Sequence, residues 1–367
     1  MLLFKGPRDQ ILSPLQSICG IVEKRHTLPI LSNVLMEKDG ESLTMLATDI
    51  EIQIRTTTQA AGSEKLALTV AARKLQDILR SLPDSAEVSL NLEDKRLQLK
   101  AGKSRFNLQT LPAEDFPRMA ASEGQTTKFS LTQKQFKRLL SLVQYAMAQQ
   151  DIRYYLNGLL LIVQGNEIRL VATDGHRLAY ASETLTDKHE RTEVILPRKT
   201  VLELSRQLAD NDDPLDIMIA STQVQFRFGN VEFVSKLIDG KFPDYERVIP
   251  QGHTKVISIL RNQMLQSLQR VAILTNEKFR GVRLVLGPGS LKVISSNAEQ
   301  EEAQEELEVD YSGETLDIGF NVTYLLDVLN NLSEETIECR LADSNSSALF
   351  VLPENERFKY VVMPMRI

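Results

Sequence analysis

Apolar and polar residues alternate along much of this 367-residue chain, and stretches with apolar residues at every third or fourth position interrupt the alternation. The first pattern has the period of a half-buried strand, the second that of an amphipathic helix. In 68–84 (LTVAARKLQDILRSLPD), Leu75, Ile78, Leu79 and Leu82 make one helical stripe behind a short alternating lead-in. The same arrangement returns in 194–210 (VILPRKTVLELSRQLAD) and 318–334 (IGFNVTYLLDVLNNLSE). Further amphipathic helices are expected at 11–21, 133–147 and 263–273.

These recurrences amount to one unit written three times. A polar pair inside an alternating segment falls at Thr48-Asp49, Thr173-Asp174 and Ser296-Asn297, steps of 125 and 123 positions. A closing strand is expected in 106–117, 233–245 and 358–367. The period is too long for a solenoid repeat. We read three tandem similar domains, 1–125, 126–253 and 254–367, with polar or Gly-containing links near 120–127 and 251–255. Each is an α+β unit of antiparallel strands with helices on one face, and its two halves resemble one another in element order. Positions shared by the copies point to architecture; positions that break the repeat point to function.

Composition narrows the class. Apolar residues at 42% and charged residues at 25% are ordinary globular usage, which excludes a disordered chain. Two cysteines, Cys19 and Cys339, exclude a disulfide scaffold, and the longest apolar runs are far shorter than a membrane-spanning helix. Lys5, Arg8 and Asp9 stand where a signal peptide would keep apolar residues, so a reduced, cytoplasmic protein is expected. The net charge of −6 hides a contrast: over the expected helical windows 7–25, 72–82, 132–150, 197–208, 261–280 and 321–332, Lys and Arg outnumber Asp and Glu 16 to 6. Basic helices on an acidic background suit attraction to a polyanion without base readout. They are equally compatible with solvated helix faces.

The segments TLPILSN (27–33), LATD (46–49), RYYLNG (153–158), ATDGHRLA (172–179), PRK (197–199), DGKFPDYERV (239–248), NEKFRGVRL (276–284), GFNVTYLLDVL (319–329) and YVVMPMRI (360–367) together resemble the bacterial DNA polymerase III β subunit, the replicative sliding-clamp family. The resemblance runs through the whole chain in order. It implies a ring of two subunits, head to tail around duplex DNA, with helices lining the hole and sheets outside. It also implies a processivity factor without catalysis or cofactor. The partners implied are the clamp loader, the polymerase III catalytic subunit, and translesion and mismatch-repair proteins carrying short linear motifs.

Three sites follow from the resemblance. A cleft for Gln/Leu/Phe-type client peptides would be built from Leu156, Thr173, Gly175, His176, Arg177, Leu178, Pro243, Arg247, Val248 and Ser347. Val361, Val362, Met363, Pro364, Met365 and Arg366 would complete it; methionine's flexibility suits a surface with several partners. Contacts to DNA fall on Arg25, Gln150, Tyr154 and Tyr155, with the helix-start residues Arg73 and Arg198 as further candidates. A subunit interface would set Lys74, Arg96, Lys103, Arg105, Phe106 and Leu108 of the first domain against Ile273, Leu274, Glu299, Glu301 and Glu305 of the third. The bland alternatives are a core strand at the C-terminal segment, tyrosines partly buried at a strand start, and an acidic edge strand that merely resists aggregation.

Asp174 and His176 also invite an acid–base reading. Their counterparts are Asp49 and Glu51 in the first copy and Asn297 and Glu299 in the third, and no nucleophile, phosphate-loop or metal-spaced motif accompanies them. We therefore assign the Asp174 segment to a turn and the cleft wall. A peptide hub that never encircles DNA is the remaining alternative.

Overall fold

The computed structural model describes residues 1–23, 28–122 and 124–367. Among them, six α-helices each follow directly on a strand. They are α1 (Arg8–Ile18) after Leu2–Pro7, α2 (Ala72–Ser81) after Lys65–Ala71 and α3 (Gln133–Val143) after Thr127–Thr132. The others are α4 (Arg198–Gln207) after Arg177–Pro197, α5 (Arg261–Val271) after Lys255–Leu260 and α6 (Val322–Asn331) after Leu316–Asn321. Each domain is thus two strand–helix–strands units, and the three copies make six.

The opening helices end earlier than the apolar spacing predicts. In each copy the chain tightens into a 3-10 turn, at Cys19–Ile21, Gln144–Ala146 and Ala272–Leu274. Val22, Met147 and Thr275 then donate their N–H to the carbonyls of Cys19, Gln144 and Ala272. These short bonds satisfy carbonyls that a helix end leaves open.

Helix α1 tolerates Pro14 in its interior. Proline has no N–H to offer the carbonyl four residues back, that of Gln10. Thr58 Oγ1 donates to that oxygen instead, at 3.0 Å, from the strand Ile52–Gln59. Helix α1 buries Ile11, Leu12, Leu15 and Ile18, a three-and-four stripe, and packs on α2.

The chain forms two compact units, and these cut the middle copy in half. The first, Met1–Lys134 with Arg206–Leu237, holds one antiparallel 12-stranded sheet. In it the strand Ile52–Gln59 of the first copy pairs with Val231–Lys236 of the second, Ile54 facing Phe233. The second unit, Gln135–Ser205 with Ile238–Ile367, holds sheets of six and four strands. Here Arg177–Pro197 of the second copy pairs with Asn355–Val362 of the third, Ala179 facing Tyr360. One rule governs both junctions: the strand that leaves the turn at a copy's Thr-Asp pair pairs with the last strand of the next copy.

Inside the first unit Lys38 has a fully buried side chain, and its ammonium donates to the carbonyls of Leu2 and Ala61 and to Glu64. Those three acceptors replace water and pin the first strand to the loop before Lys65–Ala71. Cys19 and Cys339 are free and buried, and burial pushes both thiols up to about 12.

Candidate functional site

The recurring polar pair builds a hairpin turn. In the second copy Thr173 Oγ1 donates to the carbonyl of Arg177 at 2.6 Å and accepts from the N–H of Gly175. Asp174 Oδ1 accepts from the N–H groups of His176 and Arg177 at 2.9 and 3.1 Å. The first copy repeats the pattern: Thr48 Oγ1 donates to the carbonyl of Ile52, and Asp49 Oδ1 accepts from Glu51 and Ile52. In the third, Asn297 Oδ1 accepts from Glu299 and Glu301. The Oδ1 acceptor of Asp174 is a turn device shared by the copies, a carboxylate in the first two and an amide in the third.

What is not shared is Arg177. It stands where the first copy has the buried Ile52, and its side chain is only 9% exposed. Its guanidinium donates to Asp174 Oδ2 at 3.2 Å, to Asp327 Oδ2 at 2.5 Å and to the carbonyl of Tyr145 at 2.6 Å. It also lies over the Tyr324 ring, 4.4 Å from the centroid. Burial works against the charge, but Tyr360 and Asp327 outweigh it and hold the pKa above arginine's ordinary value. Burial likewise drives the Tyr145 hydroxyl well above the usual tyrosine range. The group ties the turn to α6, through Asp327 and Tyr324, and to the 3-10 turn after α3.

Beside this turn lie the residues expected to build a cleft. Leu156, Leu178 and Val361 join Phe242, Tyr245 and Leu349 in one buried cluster. Val362 is buried beside them, opposite both Arg177 and Ala348, and Thr173 is buried within the turn. Gly175, His176, Pro243, Arg247, Val248 and Met363 are exposed around it, with Ser347, Pro364 and Met365 half-buried. A buried apolar cluster bordered by exposed polar and apolar residues is an arrangement that a peptide groove would use. Gly175 sits at φ +91°, and a Cβ there would come within 3.0 Å of the Arg153 guanidinium.

The C-terminal segment departs from the expected strand. Pairing stops at Val362, and 363–367 continues as an irregular strap. Met363 donates its N–H to the carbonyl of His176 at 2.9 Å, and Met365 donates to that of Gly319 at 2.8 Å. Ile367 lies over Gly281 and Gly319, where a Cβ would come within 3.1 and 2.8 Å of its side chain. Close approach of strap to sheet is what those glycines permit. Arg366 is exposed.

A cavity of about 340 Å³ borders the same turn and is lined by Gln149, Asp151, His176, Arg177 and Arg198 among others. Arg198 therefore faces the site as well as starting α4. Gln150 and Tyr154 are exposed, Gln150 at φ +56°, whereas Tyr155 packs against the cleft's buried cluster. The two tyrosines lie in a 3-10 turn, Tyr154–Leu156, and not at a strand start. Asp151 and Arg153 pair at 2.8 Å and brace the loop; the Arg153 hydrogen bonds lower the Asp151 pKa to about 2. At its tip Ile152 is 97% exposed. Arg25 lies outside the described residues. Arg73 donates to the carbonyl of Val22 at 2.6 Å, so its guanidinium is engaged inside the first unit.

The residues expected at a subunit interface sit on two sheet edges. Strand Ser104–Leu111 pairs with Arg96–Ala101 along its length, but its other side meets Lys65–Ala71 only at Thr110 and Leu111. Phe106 and Leu108 are half-buried on it, flanked by exposed Lys103, Arg105 and Arg96, with exposed Lys74 on α2. The acidic strand begins later than expected, at Glu302, and ends the four-stranded sheet; Glu299 and Glu301 belong to the preceding turn. Glu305 pairs with Arg270 of α5 at 2.5 Å, a partner 35 residues away that the sequence pattern did not indicate. Beside it Ile273 is 77% exposed and Leu274 half-buried. Tyr145, Tyr324, Asp327 and Tyr360 are further residues the sequence reading missed; only the hydrophilic Asp327 on the apolar helix α6 hinted at one.

Family models of the DNA polymerase III beta subunit match the chain three times: the N-terminal domain at residues 2–120, the central domain at 130–244 and the C-terminal domain at 246–366. The beta sliding clamp of Pseudomonas aeruginosa is 48% identical over 99% of this chain and 100% of its own length. That of Escherichia coli K12 is 44% identical with the same coverage. A crystal structure of the Pseudomonas aeruginosa DNA polymerase III subunit beta superposes with a TM-score of 0.97 at 47% identity, covering 100% of both chains. Another from that organism, bound to griselimycin, gives 0.96 at 47% identity over 100% of both chains. With three family domains in sequence and order, the chain belongs to the DNA polymerase III beta subunit family, the bacterial sliding clamps.

Proposed function

We propose that two copies of this chain join head to tail as a ring that encircles duplex DNA and tethers the replicative polymerase, with no chemistry of its own. The open sheet edges carry this reading. Both junctions inside the chain join the strand after a copy's polar-pair turn to the next copy's last strand. The strands left over by that rule are Glu302–Glu308 in the third copy and Ser104–Leu111 in the first. A second chain supplies the partner for each, and repetition of one contact at both ends closes the assembly. Aligning the hairpins sets Phe106 opposite Ala303, Leu108 opposite Glu301 and Ser104 opposite Glu305. Lys74, Arg96, Lys103 and Arg105 then meet an acidic edge, which favours unlike ends and disfavours like ones. Ile273 and Leu274 would cover Phe106 and Leu108.

On this reading the domain limits are 1–125, 126–253 and 254–367. Gln150, Tyr154 and Arg198, with Arg25, touch the duplex weakly enough to let it slide. The cleft takes linear motifs from the clamp loader, the polymerase III catalytic subunit, and translesion and mismatch-repair proteins in the cytoplasm, at the nucleoid. Anchoring side chains entering the Leu156–Leu178–Val361 floor dominate that affinity.

The test is topological. Protein loaded by a bacterial clamp loader onto nicked plasmid should survive a high-salt wash and leave after linearisation, because counterion-driven binding fades steeply with salt. Salt-sensitive release from the intact circle after confirmed loading rejects the ring. In sedimentation, Ile273→Ala with Leu274→Ala should halve the mass; an unchanged mass rejects the interface.

A further inference from the structure

The rule that relates the junctions also relates what lies beside them. In the second unit the cleft borders the turn after Thr173, and Met363 leaves the last strand by donating its N–H to the carbonyl of His176 at 2.9 Å. In the first unit the matching turn follows Thr48, and Lys236 leaves its strand by donating to the carbonyl of Glu51, also at 2.9 Å. Strand register makes Gln223 the counterpart of Ser347, since Val224 faces Ser235 as Ala348 faces Val362. Ile50, at φ +70°, occupies the position of Gly175, at φ +91°.

At this matching place there is a groove of about 550 Å³, lined by Thr48, Ile50, Gln223 and Lys236 and by the connecting segment 117–122. That segment is pinned open by two side chains: Gln53 accepts from the N–H of Met119, and Gln223 donates to the carbonyl of Ala120. Three features set its chemistry. A β-branched residue in the left-handed region is strained, yet Ile50 is held there with its side chain 43% exposed at the groove. The charged residues of the lining are Arg118 and Lys236, with no acid among them. Glu37 occupies the Arg118 guanidinium, but Lys236 Nζ is 3.8 Å from Glu51, beyond hydrogen-bond reach, and keeps its donors. The hydroxyl of Ser122 is buried in the lining with no partner among the described residues.

We propose that this groove is a second peptide site, which takes an extended segment of a partner protein carrying apolar side chains interleaved with acidic ones. Ile50 offers the apolar contact and Lys236 the cation for a carboxylate. Replacement of the Met363 position by lysine separates its choice of ligand from that of the first cleft. The proposal rests on the reading of the Met363 cleft as a peptide site.

Two fluorescein-labelled peptides test it on the full chain by anisotropy and titration calorimetry: a neutral Gln-Leu-Ala-Leu-Phe and an acidic Asp-Leu-Glu-Leu-Phe. The neutral peptide should fill one site per chain and lose it in Met363→Asp. The acidic peptide should show a site that Met363→Asp spares and Lys236→Glu weakens about tenfold, with Lys236→Ala intermediate. Thermal unfolding of both Lys236 variants should match the parent, since that side chain is half exposed. An acidic peptide with no Lys236-sensitive site overturns the second groove, whether or not the neutral peptide binds. A Lys236-sensitive site for the acidic peptide, with no Met363-sensitive site for the neutral one, sustains the groove and removes the first cleft instead.

Discussion

The turns after Thr48 and Thr173 share their threonine, their aspartate and their backbone hydrogen bonds, yet they are held in different ways. The first is anchored by Ile52, a plain core residue. The second is anchored by Arg177, a buried cation with partners on α6 and beside α3. A hydrophobic anchor resists displacement in any direction along its pocket wall. A guanidinium with directed donors fixes the turn, and with it His176 and the Met363 strap, to one geometry. The scaffold is repeated; the precision is added where a peptide cleft is proposed.

The sharpest way to break this contrast is Asp327→Ala, which leaves Arg177 buried without its shortest ion pair. We expect a loss of about 3 kcal/mol in urea unfolding, at the lower end for a broken buried pair because Asp327 is itself about a third exposed. A loss no larger than that of a surface substitution would dissolve the distinction between the turns. Next comes the paired comparison of Asp174→Ala, at about 2 kcal/mol, with Asp49→Ala, at about 1 kcal/mol. Both remove a carboxylate from two N–H donors, and the first also deprives Arg177 of an acceptor. Equal losses would show that Arg177 adds nothing.

Exchanging the third turn residues is subtler. Ile50→Gly should raise stability by up to about 1 kcal/mol by relieving a strained φ, whereas Gly175→Ala should cost about as much and press on Arg153. Differential scanning calorimetry of the two variants decides it, and the same sign in both contradicts the pairing of these positions. The smallest effect concerns pH. Asp151 has its pKa lowered to about 2 in the folded chain, from 3.8, by Arg153. A carboxylate depressed on folding contributes stability above its unfolded pKa and loses it as pH falls through the folded one. The bracing of the Ile152 loop should therefore weaken between about pH 4 and pH 2, visible as faster amide exchange at Arg153 with no matching change at the Asp49 turn.

The repeat was legible because its markers are local. A Thr-Asp pair closes a turn within five residues, so Thr48-Asp49 and Thr173-Asp174 carry their structure in their spacing. Helix starts were legible for the same reason. Helix ends were not, because the 3-10 turns at Cys19, Gln144 and Ala272 keep the apolar spacing of the helices they finish. The residues of the proposed cleft were named only by resemblance. The network around Arg177 was invisible, since Asp327 and Tyr360 lie 150 and 183 residues away. The groove at Ile50 had a signal that went unused: an isoleucine at the turn position where the second copy has Gly175.

The two thiols have a practical corollary. Both are free and enclosed, and burial keeps them protonated at neutral pH, so neither presents the thiolate that alkylating reagents attack. The native chain is its own silent background for chemical labelling. A single cysteine installed at exposed Gln150, at Lys103 or at Glu299 would take up a maleimide dye selectively. Fluorophores placed on the two edges could then test in real time whether the proposed subunits join and part, with no native cysteine removed first.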